Sequence, residues 1–162
     1  MLLALLVGLL LAPAMSASAK FTLDDLRQDP HLTPERLMKY FRDFEFRLGS
    51  QRQAPKDFLA AKSGDCDDFA CLASEVLREK KYTTRLIAVF MDGQTHVVCY
   101  VNEAHGYLDY NLRREACALQ PAGPELEKVA DKVAAYFRTA WRSAAEFTYE
   151  GSSARFGQIV FH

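Results

Sequence analysis

Ser63-Gly64-Asp65-Cys66-Asp67-Asp68-Phe69-Ala70 puts a cysteine at the opening of a helix. The helix is predicted from about Asp65 to Lys80, because Phe69, Leu72, Ala73, Val76 and Leu77 recur with the spacing of one buried helical stripe. The free N–H groups and the macrodipole at a helix start favour an anion, so a thiolate is favoured at Cys66. Gly64 is expected to let the chain turn sharply and bring the sulfur into the open. The same N–H groups can hold an oxyanion when a carbonyl is attacked. Asp65, Asp67 and Asp68 pull the other way by crowding negative charge near the sulfur. They also serve as favourable first-turn residues, so the thiolate depends on an imidazolium partner.

That partner is supplied downstream. Thr95-His96-Val97-Val98-Cys99-Tyr100-Val101 places a histidine near the start of an apolar strand. Tyr107-Leu108-Asp109-Tyr110-Asn111 places a carboxylate on the next strand, and a turn at Glu103–Gly106 sets the two side by side. A slip of one residue would turn Asp109 to the other face, so the contact depends on register. In the order Cys, His, Asp, the histidine takes the thiol proton and later protonates the leaving amine. The carboxylate holds the imidazole tautomer and stabilises its charged form. An unpaired carboxylate between Leu108 and Tyr110 would be costly; pairing with His96 removes the cost, and capping a strand end is the alternative role.

The remaining segments supply the frame. Thr33-Pro34-Glu35 starts a helix whose stripe Leu37, Tyr40, Phe41, Phe44 and Leu48 runs until Gly49. Tyr40, Phe41, Phe44 and Phe46 are expected in the core. Gln51 to Ser63 is polar, carries Pro55 and reads as a loop with one short turn. Thr84–Met91 and Thr95–Asn102 form a hairpin about Asp92-Gly93, followed by a third strand, Tyr107–Asn111. Glu125–Trp141 is an amphipathic helix, and Phe147–Tyr149 and Phe156–Phe161 are short closing strands. The fold class is therefore α+β, with helices packed on an antiparallel sheet.

Gly64-Asp65-Cys66-Asp67-Asp68-Phe69-Ala70, His96 followed by apolar residues, and Gly106-Tyr107-Leu108-Asp109 together resemble the transglutaminase-like cysteine peptidase superfamily over about residues 51 to 111. The resemblance implies a papain/transglutaminase-like core with Cys66 as nucleophile, His96 as general base and acid, and Asp109 as orienting residue. It implies a thiol-dependent hydrolase of peptide or amide bonds acting through an acyl-enzyme. Transfer of the acyl group to an amine is the alternative within that chemistry. A side chain completing the oxyanion hole has no clear match; Gln51 and Gln53 are candidates by type. The sequence differs from the NlpC type of cell-wall peptidase, which usually shows Asp-Cys-Ser-Gly at the nucleophile. A non-catalytic binding module with the same fold is a further alternative, against which the intact Cys, His and Asp set argues.

Composition narrows the setting. The chain has 162 residues, 49% of them hydrophobic, with a formal net charge of −1. Such a chain buries a real core and carries no basic footprint for nucleic acid. Met1 to Met15 is an apolar run too short to cross a bilayer, followed by Ala17-x-Ala19. Residues 1–19 are expected to be a signal peptide, an uncleaved anchor being the alternative, and 20–162 a single domain, periplasmic or secreted, with no integral membrane segment after cleavage. The protein is expected to be a monomer that acts on a protein or peptide substrate. No cofactor is called for, and no metal, since Cys66-x4-Cys71 with His96 does not match the common structural zinc spacings. Cys71, Cys99 and Cys117 fit buried packing thiols, and at most one disulfide can form among them. His31, His105 and His162 are expected at the surface.

Overall fold

The computed structural model describes residues 21–116, 118–151 and 153–162. The signal-peptide expectation and Cys117 lie outside these residues. Helices α1 (Leu23–Gln28), α2 (Pro34–Tyr40), α3 (Pro55–Ala61) and α4 (Cys66–Glu79) form the N-terminal part. Two short strands, β1 (Glu45–Phe46) and β2 (Ser63–Gly64), pair in parallel among them. Strands β3 (Thr84–Met91), β4 (Gln94–Val101), β5 (Gly106–Leu108), β6 (Gln120–Pro121), β7 (Trp141–Glu150) and β8 (Ser153–Phe161) make an antiparallel sheet in the order β6-β5-β4-β3-β7-β8. Helix α5 (Leu126–Phe137) connects β6 to β7.

Both sheet faces are covered, which explains why β3 and β4 read as nearly continuous apolar runs rather than strict alternations. Leu86, Ala88, Val97, Cys99 and Val101 pack under α1–α4, while Ile87, Val89, Val98 and Tyr100 pack against Val129, Ala130 and Val133 of α5. The α+β expectation holds.

Five expectations about elements are corrected. The helix from Pro34 stops at Tyr40 instead of Leu48, because the chain turns at Phe41 and runs out to pair Glu45 and Phe46 with Ser63 and Gly64. Phe41 and Phe44 are buried as expected, whereas Leu48 is 79% and Phe46 49% exposed. The stretch read as a loop holds α3, opened by Pro55 at its first turn and burying Phe58 and Leu59. The third strand ends at Leu108, and Tyr110–Leu112 forms a 3₁₀ turn, because the Asp109 side chain accepts the Asn111 N–H. Trp141, read as the end of a helix, begins β7, and the two closing strands are ten and nine residues long. Arg138 ends α5 in the left-handed conformation before that turn into the sheet.

Candidate active site

Cys66 is the first residue of α4, half-buried, and Asp65 is its N-cap. Asp65 and Asp68 form a capping box: the Asp68 N–H donates to Asp65 Oδ1 and the Asp65 N–H to Asp68 Oδ2. The two carboxylates also hold the preceding loop. Asp65 Oδ2 accepts the Gly49 N–H at 2.9 Å, and Asp68 accepts both the backbone N–H and the side-chain amide of Gln53. Gly64 has a different reason from the turn expected of it. A Cβ there would strike Asp68 Oδ2, the Phe58 ring at 2.7 Å and Gln53 Nε2 at 2.8 Å, so glycine is required by close approach.

Asp67 is half-buried and receives a hydrogen bond from the Tyr149 hydroxyl at 3.2 Å. Burial, a hydrogen bond shared with Asp65, and the charges of Asp65 and Asp68 push its carboxyl up to about 7. Each of the three aspartates offers an oxygen within 4.8 Å of the others.

His96 and Asp109 are brought together. The imidazole Nε2 lies 2.9 Å from Asp109 Oδ1, with His96 3% and Asp109 1% exposed. The register Cys99–Leu108 carries Asp109 alongside Val98, on the same face as His96 and diagonal to it. The same Oδ1 also accepts the Asn111 N–H at 2.9 Å, so Asp109 both pairs with His96 and caps the 3₁₀ turn. Burial, the largest influence, works against a charged ring. The Asp109 carboxylate and hydrogen bond, with a hydrogen bond and charge from Cys66, outweigh it and lift His96 to about 10.

Packing ties these parts. Phe69 of α4 stacks on Tyr110 with centroids 5.4 Å apart, joining the Cys66 turn to the residue after Asp109. The Tyr110 hydroxyl donates to Glu45 O, and the Arg113 Nε–H donates to Phe44 O. From the other face Phe137 of α5 meets the His96 ring edge-on at 4.9 Å. Phe137, Tyr149 and the Asp68–Gln53 clasp were missed from sequence, since each is a long-range contact with no local pattern. Gln53 is excluded as a free oxyanion donor, because its amide donates to Ser63 O at 3.0 Å and Asp68 Oδ2 at 2.8 Å.

Cys71 is half-buried and Cys99 fully buried; burial pushes both up to about 12, and both, like Cys66, are unbridged. His31, His105 and His162 are exposed.

The structure thus sets a half-buried cysteine at a helix mouth and a buried histidine–carboxylate pair carried by β4 and the end of β5. The chain belongs to the transglutaminase-like superfamily, whose sequence pattern matches residues 21–116, more than half of its length. No curated protein matches the sequence. Among solved structures it is similar to LapG of Legionella pneumophila. The calcium-bound form is 15% identical with a TM-score of 0.51, over 83% of this chain and 73% of that one. The EGTA-treated form is 17% identical with the same TM-score, over 83% and 75%. At that identity the likeness is one of fold.

Proposed function

We propose that the chain is a thiol-dependent hydrolase, a peptidase or amidase, with Cys66 as nucleophile, His96 as general base and acid, and Asp109 as orienting residue. The observation that carries this reading is the buried 2.9 Å contact between His96 Nε2 and Asp109 Oδ1. It commits Nε2 and leaves Nδ1 as the nitrogen free to exchange a proton with Cys66. His96 takes the thiol proton, the thiolate attacks the carbonyl carbon, and the amine leaves with that proton, giving a thioester. Water deprotonated by His96 then releases the acid and restores the thiol. Asp65 caps the N–H groups of Asp67 and Asp68, so the Cys66 N–H remains as a donor toward the oxyanion.

Two further parts belong to this proposal. Residues 1–19 are a cleaved signal peptide and 20–162 one domain working in the periplasm or outside the cell. No helix among the described residues is long and apolar enough to cross a membrane. Calcium is the second part, because one similar structure is described as calcium-bound. The three aspartates gather hard carboxylate oxygens within 4.8 Å of one another, the span of ligands lying about 2.3–2.6 Å from calcium, and the ion would share those of Asp65 and Asp68 with the N–H groups they already accept. Asp65, Asp67 and Asp68 would hold the ion, which would offset their negative charge beside Cys66.

The hydrolase reading is tested by incubating the purified mature chain with protein and peptide substrates and analysing products by mass spectrometry. Cleavage that disappears in Cys66→Ala supports it. Incorporation of an added amine without hydrolysis would move the function to acyl transfer, and wild-type-like cleavage by Cys66→Ala would refute the nucleophile.

A further inference from the structure

Beside the first turn of α4 lies a groove of about 460 Å³, lined by Ser50, Gln51, Arg52, Asp67, Tyr149 and Gly151. Asp67, one of these walls, is the neighbour of Cys66 in the chain and shares the first turn of α4 with it. Its one cationic wall residue among the described residues is Arg52, whose guanidinium carbon lies 4.6 Å from the centre of the Tyr149 ring. Tyr149 is itself held by the hydrogen bond from its hydroxyl to Asp67. The platform under the guanidinium is therefore fixed from the nucleophile's own helix.

Arg52 differs from the other arginines that lie over aromatic rings. Arg36 on Tyr40 is paired with Asp29, Arg85 on Tyr100 with Glu146, and Arg113 on Tyr110 donates to Phe44 O and Tyr110 O. Arg52 has no ion pair among the described residues; its Nε, like that of Arg85, is buried without a hydrogen-bond partner. A buried donor left unmatched is costly, and a guanidinium fork seated over a ring with no ion pair of its own can take two oxygens of one carboxylate.

We propose that Arg52, presented on Tyr149, is a specificity-determining residue that binds a carboxylate of the substrate in the groove beside Cys66. The inference rests on Cys66 being the nucleophile and adds the substrate class: peptides with an acidic side chain, or a free chain end, close to the bond attacked. Ser50 and Gln51 supply the polar remainder of the wall.

The test uses bromoacetyl-Gly-Glu-amide, its isostere bromoacetyl-Gly-Gln-amide, and bromoacetyl-Gly-Gln with a free terminal carboxylate. The Cys66 thiolate displaces bromide from each, forming the C–S bond as C–Br breaks. Each rate is divided by the iodoacetamide rate of the same variant, which removes changes in the thiolate itself. Wild type should react about tenfold faster with one carboxylate probe than with the uncharged one, as a charge-assisted bond requires. Whether the side-chain or the terminal acid is faster tells the two sources apart. Arg52→Gln should bring the ratio to about one, and Arg52→Lys should keep part of it. A wild-type ratio near one for both acids, or a ratio that survives in Arg52→Gln, overturns the proposal. If iodoacetamide does not label Cys66, the nucleophile reading fails separately. The Arg52 proposal then stands or falls on NMR titration of acetyl-Gly-Glu-amide, acetyl-Gly-Gln-amide and acetyl-Gly-Gln with a free terminal carboxylate into Cys66→Ser. At least one acid should bind about tenfold more tightly than the uncharged peptide, and that preference should vanish when Arg52→Gln is added. Absence of any preference refutes the proposal.

Discussion

Asp109→Asn removes one negative charge from a buried contact while keeping its shape. The amide oxygen can still accept from His96 Nε2 and from the Asn111 N–H, so the 3₁₀ turn is retained. What is lost is the charged part of a 2.9 Å hydrogen bond in a site at most 3% exposed. A hydrogen bond to a charged group contributes about 1.5–3 kcal/mol. Since one unit of pKa corresponds to about 1.4 kcal/mol, His96 should lose roughly one to two units of proton affinity. Burial, which opposes the charged ring, then has less to overcome it. A histidine raised above its unfolded value of about 6.5 contributes its stability in full below that pH. The contribution fades as pH rises through the folded value of about 10. The melting temperature of the variant should therefore lie roughly 3–12 °C below wild type at pH 6, with the difference shrinking by about pH 10. Thermal unfolding followed by circular dichroism at both pH values measures this, and iodoacetamide labelling of Cys66 at pH 6 should slow by about tenfold or more. A melting difference that is the same at both pH values, or wild-type stability and labelling at pH 6, would refute the ion-pair reasoning.

Other outcomes follow from the same geometry. His96→Ala should slow iodoacetamide labelling of Cys66 at pH 6 by about two orders of magnitude, toward an ordinary thiol, while Cys71 and Cys99 stay unlabelled in the native protein because burial holds them near 12; peptide mapping reads both. Gly64→Ala should cost about 1–3 kcal/mol in urea unfolding, because the new Cβ collides with Phe58 and parts the Asp68–Gln53 clasp. A milder loss would mean that the clasp moves aside. Calcium at about a hundred times its Kd should stabilise the protein by about 2.7 kcal/mol, reversed by EGTA and weakened in Asp67→Asn; calorimetric melts without a calcium shift would remove that ion from the proposal.

Much of this site is legible in local sequence. Asp65 and Asp68 sit three apart around the start of an apolar helical stripe, and a capping box depends on that spacing alone. Thr84–Met91 and the Asp92-Gly93 turn specify a hairpin because strand propensity and turn chemistry agree. The pairing of His96 with Asp109 follows once the short turn after Val101 is recognised, although its register is set by how Cys99 meets Leu108. The Pro34 helix was overextended for a related reason. Phe44, Phe46 and Leu48 satisfy a helical period, but a parallel bridge to Ser63 and Gly64 forms instead, and that partner lies 18 residues away in the chain.

The sequence alone determines the place of Cys66 at a helix start, the order Cys66, His96, Asp109 and an antiparallel sheet carrying helices, since these rest on periodicity, capping and turns that act over a few residues. Tertiary structure alone decides what surrounds the thiol. Phe137 packs on His96 from α5, Tyr149 reaches Asp67 from β7, and Arg52 lies over the Tyr149 ring with no ion pair among the described residues. These contacts join segments as far apart as Arg52 and Tyr149, 97 residues along the chain. They arise only when both faces of the sheet are covered, because burying apolar surface on each side dictates which distant side chains arrive at the edge where Cys66 stands.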